Sequence, residues 1–562
     1  MELVESIIKS LGDFIQSYIV PEELIIFTLL GTGLFLTLRL GFIQLRRFRH
    51  GVAVASGRYD DPDDPGDVSH FQALTTALSA TVGVGNIAGV AIALHWGGPG
   101  ALFWMWMTAF FGMAVKYSEV TLALKYREVE KGPTKAWQGT VSGGPMYSIE
   151  KGLGRRWKPL AVFFAGGLLL TSFLTGNAVQ ANTIGDLFNT EFGVPAWIMG
   201  LITSTFVALV IFGGIRRIGR VTAVLAPMMA AIYVLGALVI LLLNAGQILP
   251  TFARILSEAF NPTSGVAGTG AGIFLTTILW GVKRGLFSNE AGQGSAPIAH
   301  SAAQTDEPVS EGVVALLEPF IDTLVICTLT GLVLIITGSW NDWIPTALDL
   351  SSGDATYVAL NSQGAYVEAE APPDSLSVQA GSPVYADASS PRFAWHDAPV
   401  DQFFTDEAQQ EAFSGEIRPG ESVAVGSDGQ RYSFLYGNAA ETGAPLTALA
   451  FGRGLPGGDW GRFIVLISVA LFAVSTAISW SYYGDRCVNY LFGAGAIIPF
   501  KVIYVIFHFI GAATALNVIW DFGDVALSIV TIPNLLALIL LSGVVVKSSK
   551  SYFDRQPWLR EK

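Results

Sequence analysis

The sequence predicts an all-α polytopic membrane protein of about 11 transmembrane helices, with one small β-rich insertion outside the bilayer. Three observations predict it. Hydrophobic residues make up 51% of the 562 residues and charged residues only 14%, where a soluble chain carries about 25%, and the mean hydropathy is +0.49. Apolar runs of roughly 20 residues, enough to cross about 30 Å of hydrocarbon, recur about eleven times. The excess negative charge is local: Asn341 to Trp460 holds 17 acids and 4 bases, all Arg, and the rest holds 28 acids and 29 bases. The net charge of −12 therefore belongs to one segment, and no basic stripe for a nucleic acid exists.

Taken in order, the first 20 residues have apolar positions at helical spacing, interspersed acids and no basic leader region. They predict a surface helix rather than a cleaved signal. The apolar runs follow near residues 22–42, 71–95, 100–124, 158–180, 195–214, 221–246, 268–287, 312–338, 462–483, 498–519 and 524–546. Helices are expected because lipid offers no partner for backbone polar groups, and the alternation of barrel strands is missing. The resulting units are 1–50 (external helix and first span), 51–250, 251–340, the acidic insertion 341–455, and 456–562. Within the insertion, two β-prone runs joined through Asp428-Gly429 read as a hairpin. Cys327 falls in span 8 and Cys487 at the cytoplasmic end of span 9, which leaves none in the external segment, so no structural disulfide is expected.

Orientation follows from Lys and Arg in the short connections. Arg46 and Arg47, Lys125, Arg127 and Lys131, Arg216, Arg217 and Arg220, Lys283 and Arg284, Arg486 and the basic tail fall on one side if eleven spans alternate. That side is the cytoplasm of a multi-pass inner-membrane protein. The N-terminus and 341–455 are then external and the C-terminus cytoplasmic.

With span 1 set aside, ten spans divide into spans 2–6 and 7–11. An odd number of crossings per unit would turn the second upside down relative to the first, the inverted repeat of many secondary transporters. The first helix of each unit should then be interrupted. Span 2 contains TVGVGNIAG (Thr81 to Gly89), and span 7 contains WGVKRGLFSNEAGQG (Trp280 to Gly294). A break frees N–H groups suited to a carboxylate and carbonyls suited to Na⁺. Gly83, Gly85 and Gly89 would let backbone approach a ligand. The competing reading, small residues as helix-packing notches, is outweighed by a second break five spans later.

Other polar residues extend the site. Asn177 and Gln180 in span 4 are three apart and would share a helix face. Ser475, Thr476 and Ser479 offer hydroxyls in span 9. Asp322 is an intramembrane carboxylate, expected within a turn or two of the cytoplasmic end of span 8, as a cap or gate. Lys283, Arg284 and Glu290 would form an inner gate with Glu119 or Asp485. No acid lies between His70 and Pro99 or between Gly268 and Val282. Neutral oxygens beside the breaks favour Na⁺ over H⁺ as coupling ion. His95 is read as interfacial. The catalytic patterns HExxH, Walker A and GxSxG are missing, so an enzyme is not expected.

These residues resemble the alanine or glycine:cation symporters, the sodium:alanine symporter family. The matching strings are ALSATVGVGNIAGVA (Ala77 to Ala91), GGPGALFWMW (Gly97 to Trp106), KYSEVTLALKYRE (Lys116 to Glu128), SGGPMYSIEKGLG (Ser142 to Gly154), RGLFSNEAGQGSAPIAHSAA (Arg284 to Ala303), FIDTLVICTLTGLV (Phe320 to Val333) and SWSYYGDRC (Ser479 to Cys487). The resemblance implies a leucine-transporter-like fold and import of a small neutral amino acid, such as alanine or glycine, with Na⁺. It implies a substrate carboxylate at Gly83, Gly85 and Asn86, enclosed by Gln180, Trp280, Gly281 and Thr476. It implies Na⁺ between Thr81, Val84, Ser475 and Thr476. Membrane lipid is the surrounding medium, and no protein partner is indicated. The departure from the family is the external segment, roughly 350–440.

Overall fold

The computed structural model describes residues 22–61, 63–129, 141–262, 272–350, 355–360, 366–369, 371–387, 389–396, 398–513 and 516–559. The surface helix expected at 1–20 lies outside them, as does Lys131.

The first apolar run forms α1 (Glu22–Arg39). The second is split. Ser69 opens it with a capping box, its side chain accepting from Gln72 N–H while the Gln72 side chain accepts from Ser69 N–H. Helix α2 (His70–Thr81) stops at Val82, a 3₁₀ turn covers Val84–Asn86, and α3 (Ala88–Gly97) leaves at 64° to it. Next come α4 (Gly100–Tyr126) and α5 (Lys158–Phe173), which passes through a π turn at Leu174–Ala178 into α6 (Val179–Phe192). Helices α7 (Ala196–Ile211) and α8 (Gly214–Leu243) complete the first half.

The second half opens with α9 (Gly272–Asn289), a break over Glu290–Ser295, and the short α10 (Ala296–His300). Helix α11 (Pro308–Ala315) runs through a π turn at Phe320–Cys327 into α12 (Thr328–Ile336), one continuous span of 29 residues. The chain closes with α13 (Arg462–Phe492), α14 (Ile497–Ala512) and α15 (Leu516–Arg555). Among the described residues six helices are long and apolar enough to cross a membrane, or seven with α2 and α3 counted as one bent span.

Two positions differ from expectation. The second break occupies only the end of the Trp280–Gly294 string, since α9 is helical through Asn289, and Trp280 and Gly281 lie within the helix. Gly281 and Gly285 serve as notches for α4, since a Cβ at Gly281 would lie 2.5 Å from Ala101 O and one at Gly285 3.1 Å from Thr108 Cβ. The chain turns where Glu290, Gly292 and Gly294 take φ values of 52°, 92° and 78°, the region glycine tolerates best. Lys283 and Arg284 therefore lie inside α9, ahead of the break, and not in a flank beyond the span. Asp322 lies fourteen residues into the Pro308–Ile336 span, about 21 Å along it. It is a mid-helix residue, not a cap near one end.

Between α12 and α13 the chain forms a β unit with its own core of Leu348, Tyr357, Phe393, Phe403, Ile417 and Leu435. Strands Trp343–Asp349 and Phe434–Ala440 pair antiparallel along their whole length and join the unit to the bundle. A five-stranded and a four-stranded sheet rest on them. Val423–Gly426 and Arg431–Tyr432 form the hairpin across Asp428-Gly429. Burial pushes the His396 imidazole down to about 4, so it is neutral at physiological pH. The β unit ends at Ala440, short of the expected 455. Helix Gly443–Gly454 buries Leu446, Thr447 and Phe451 in the bundle core, and Thr447 Oγ1 donates to Ile87 O at 3.2 Å.

Gly281→Ala should lower the thermal unfolding midpoint of the detergent-solubilised protein, because the methyl group meets the Ala101 backbone. A cost of about 1–3 kcal/mol is expected. Gly166→Ala, with nothing within 4 Å of the added Cβ, should leave the midpoint unchanged or raise it.

Candidate functional site at the two helix breaks

Where α2 stops, a continuous helix would have bonded Gly83 N–H to Ser79 O. Gly83 N–H instead donates to Asn86 Oδ1 at 2.8 Å. Ser79 O is met from α13 by Thr476 Oγ1 at 3.1 Å and Ser475 Oγ at 3.4 Å. A Cβ at Gly83 would lie 2.8 Å from Thr476 Oγ1, 3.8 Å from Thr81 O and 3.9 Å from Gln180 Oε1. Four expected site residues thus converge on one point of bare backbone. Gln180 Nε2 donates to Thr175 O at 3.1 Å, and its Oε1 is buried with no hydrogen-bond partner among the described residues. Thr81, Gln180 and Thr476 are each only 3% exposed, so the point is closed from solvent.

Asn86 faces the second break. Its Nδ2 lies 2.6 Å from Asp322 Oδ1 and 2.9 Å from Ser288 Oγ, and Ser288 Oγ donates to Asp322 Oδ2 at 2.6 Å. Thr323 Oγ1 donates to the same carboxylate at 2.7 Å. The carbonyl of Asn86, freed by the break, accepts from Thr330 Oγ1 at 2.9 Å. Asp322 is thus the group that ties α2–α3 to α9. An acid does stand beside the first break, although none is near it in sequence. Gly85 is close because a Cβ there would meet the Phe287 ring at 3.0 Å and Ser288 Cα at 3.6 Å.

Several expected members lie elsewhere. Trp280 stacks on Trp96 with ring centroids 5.6 Å apart, and Gly281 packs on Ala101 and Trp104. Both are about 10–12 Å up α9 from Ser288. Phe287 and Ser288, in the last turn of α9 ahead of the break, take their place beside Gly85 and Asn86. Arg284 lies over the Trp280 and Phe287 rings with its Cδ beside Gly89, and Lys283 lies over Trp280. The expected inner gate is not what its acids form. Glu119 accepts from Asn534, Glu290 from Ser295, and Asp485 pairs with Arg486 and Lys501. Asn177 and Gln180 do not share a face, because the π turn at Leu174–Ala178 shifts the helix phase. Asn177 bonds to Tyr504 O and His508 of α14 instead.

Sequence reasoning missed a buried ionic cluster at the far end of the breaks. Lys116, His70, His300, Glu311 and Glu318 are all at most 3% exposed. A signal existed, since Glu311 and Glu318 are seven apart and so lie two turns apart on one helix face. A surface crevice lined by Ile25, Phe287, Gln293, Leu527 and Thr531 opens beside α9, and its lining includes none of the residues around Gly83.

The chain has relatives among known proteins. The family model for the sodium:alanine symporter family matches residues 1–367 and 431–561, leaving 368–430 of the β unit outside it. The sodium/alanine symporter AgcS of Methanococcus maripaludis is 39% identical over 549 aligned residues, covering 97% of each chain. An uncharacterized transporter of Haemophilus influenzae is 36% identical over 549 residues, with 98% of this chain and 97% of its own covered. Among solved structures, MhsT in complex with L-phenylalanine superposes with a TM-score of 0.50 at 14% identity, over 85% of this chain and 90% of that one. That likeness shows a shared fold, the leucine-transporter-like one. From the family match over nearly the whole membrane part and the full-length relatives, the chain belongs to the sodium:alanine symporter family.

Proposed function

We propose that the protein imports a small neutral amino acid, alanine or glycine, together with Na⁺, by alternating access at the two helix breaks. The observation that carries this reading is the convergence of Thr476, Thr81 and Gln180 on Gly83, with the Gln180 Oε1 left without a partner. The substrate carboxylate would take the Val84 and Gly85 N–H groups of the turn, since Gly83 N–H is held by Asn86 Oδ1, and its ammonium would take Gln180 Oε1. The ion would take the carbonyls at the end of α2 with the Ser475 and Thr476 hydroxyls, a set of neutral oxygens of the kind Na⁺ accepts. Asn86 and Asp322 would hold the two breaks in register around both. The name of AgcS, a sodium/alanine symporter at 39% identity, supports both the ion and the class of cargo.

The membrane layout follows the same reading. Adding α1, α4, α7 and α9 to the seven apolar spans makes eleven crossings. The broken helices α2–α3 and α9–α10 then open two inverted five-helix units, with the basic connections and the C-terminus cytoplasmic and the β unit external. Moving one charge inward through 100 mV supplies about 2.3 kcal/mol, and a tenfold Na⁺ gradient about 1.4 kcal/mol.

The test is uptake of labelled alanine by proteoliposomes. Replacing external Na⁺ by choline at constant pH should stop uptake; an unchanged rate would transfer the coupling to another ion. Gln180→Ala should cost about tenfold or more, the value of one buried polar contact of about 1.4 kcal/mol. Gly83→Ala should abolish uptake, because the methyl group enters the space before Thr476. Normal transport by both variants would remove the site from Gly83. Asp322→Asn replaces an acceptor with an amide that cannot receive all three donors, and should lower uptake about tenfold or more with the protein still monodisperse.

A further inference from the structure

The cycle just described makes no use of the buried ionic cluster. The cluster joins four elements: His70 begins α2, Lys116 is on α4, His300 ends α10, and Glu311 and Glu318 lie on the α11 span. Lys116 Nζ is 3.2 Å from Glu318 Oε2. Glu318 Oε1 is 2.6 Å from His300 Nε2, and His300 Nδ1 is 2.5 Å from Glu311 Oε1. Glu311 Oε2 contacts His70 Nδ1. His70 Nε2 is 3.9 Å from Asp60 Oδ1, whose side chain is 41% exposed. The row thus runs from the surface at Asp60 to the middle of α4.

Proton counting follows from the atoms that meet. Three imidazole nitrogens face three carboxylate oxygens, so three protons are needed to make three hydrogen bonds. A neutral imidazole supplies one proton, and two imidazoles supply two. The third must be added to the row, and His300 holds it as an imidazolium donating from both nitrogens. Charges then cancel, with Lys116 and His300 positive and Glu311 and Glu318 negative. Without that proton a lone pair faces a carboxylate and a net negative charge stays buried, which a site without solvent does not tolerate. Other charges face the row. Arg127 acts on Glu311 from the end of α4. Glu119 and Glu290 act on Lys116. Tyr483 of α13 faces Glu290 and Glu318, and Asp322 faces Glu290.

We propose that the His70–Glu311–His300–Glu318–Lys116 row is a proton-binding site, and that its one extra proton latches α2 to α10 and the α11 span. Helix α2 ends in the break at Val82–Gly83, so His70 is the anchor of its other end. Loss of the proton through His70 and Asp60 loosens that anchor and frees α2 to swing about the break. The gating role of α2 rests on the alternating-access reading, whereas the latch itself does not.

The experiment is hydrogen–deuterium exchange of the full-length protein in detergent, without substrate, at about pH 6 and about pH 8.5, corrected for intrinsic exchange rates. A one-proton latch changes opening by up to about tenfold per pH unit. The backbone of 68–81 should therefore exchange at least about tenfold faster at the higher pH, with α7 unchanged. Glu311→Gln supplies the third proton from its own amide and removes one negative charge, so it should keep 68–81 protected at both values. Equal protection of the wild type at both values overturns the latch, as does a wild-type pH response in Glu311→Gln. If that variant does not fold, the wild-type comparison decides alone. Loss of the cargo reading in the uptake assay would leave the exchange result, and the latch, standing.

Discussion

Two interrupted helices cross the interior of an apolar bundle, and the Asn86–Asp322–Ser288 bonds keep the interruptions face to face. Lipid gives backbone groups no partner, and each buried group left unpaired costs about 1–3 kcal/mol. The partners must therefore come from other helices. Asn86 Oδ1 takes the Gly83 N–H, Thr330 takes the Asn86 carbonyl, and Thr447 takes the Ile87 carbonyl. Asp322 completes the set because it sits on a π turn at mid-helix, where it receives donors from α2–α3, α9 and its own turn. Removing that carboxylate would take an acceptor from three donors at once, which makes it the fixed point for both breaks.

Close approach of backbones makes this geometry attainable. A Cβ at Gly312 would lie 2.2 Å from Thr121 Oγ1, and one at Gly112 2.9 Å from Ala291 Cβ. These contacts bring the α11 span and the second break directly against α4. Lys116 can then reach Glu318 without an intervening layer. The same compactness that seats the breaks also seals five ionisable side chains from solvent. Their charges are tolerable only because they pair.

What the sequence shows depends on how local each interaction is. The apolar runs and the Gly83 break are legible because hydropathy and a Gly-x-Gly interruption are properties of neighbouring residues. Gln180 and Thr476 stand out as polar residues in apolar spans, the family resemblance gives them their expected role, and they meet Gly83 in space. The second break falls at the end of the expected Trp280–Gly294 string because glycine has two uses there: Gly281 and Gly285 admit α4, while Gly292 and Gly294 turn the chain. The Asn177–Gln180 pairing fails because a π turn inserts phase that a 3.6-residue period does not carry. The Asn86–Asp322 contact and the His70–Glu311 pair stay hidden for a simpler reason. Asn86 and Asp322 are 236 residues apart, and His70 and Glu311 are 241 apart, so no spacing rule connects them.

The acidity of the chain and the chemistry of the bundle are separate matters. Most of the net negative charge lies on a β unit with its own hydrophobic core, joined to the bundle through an antiparallel strand pair, and the family model omits 368–430. Such exposed charge is screened within about 8 Å at physiological salt. Inside the bundle the arithmetic is reversed: the formal charge is close to zero, yet each buried ion acts at close range in a medium that screens little. A single proton on His300 therefore changes the balance of its helix contacts more than many acids on the β unit can. The segment that dominates the composition is the one least able to influence the breaks, and the residues that set their geometry contribute almost nothing to the net charge.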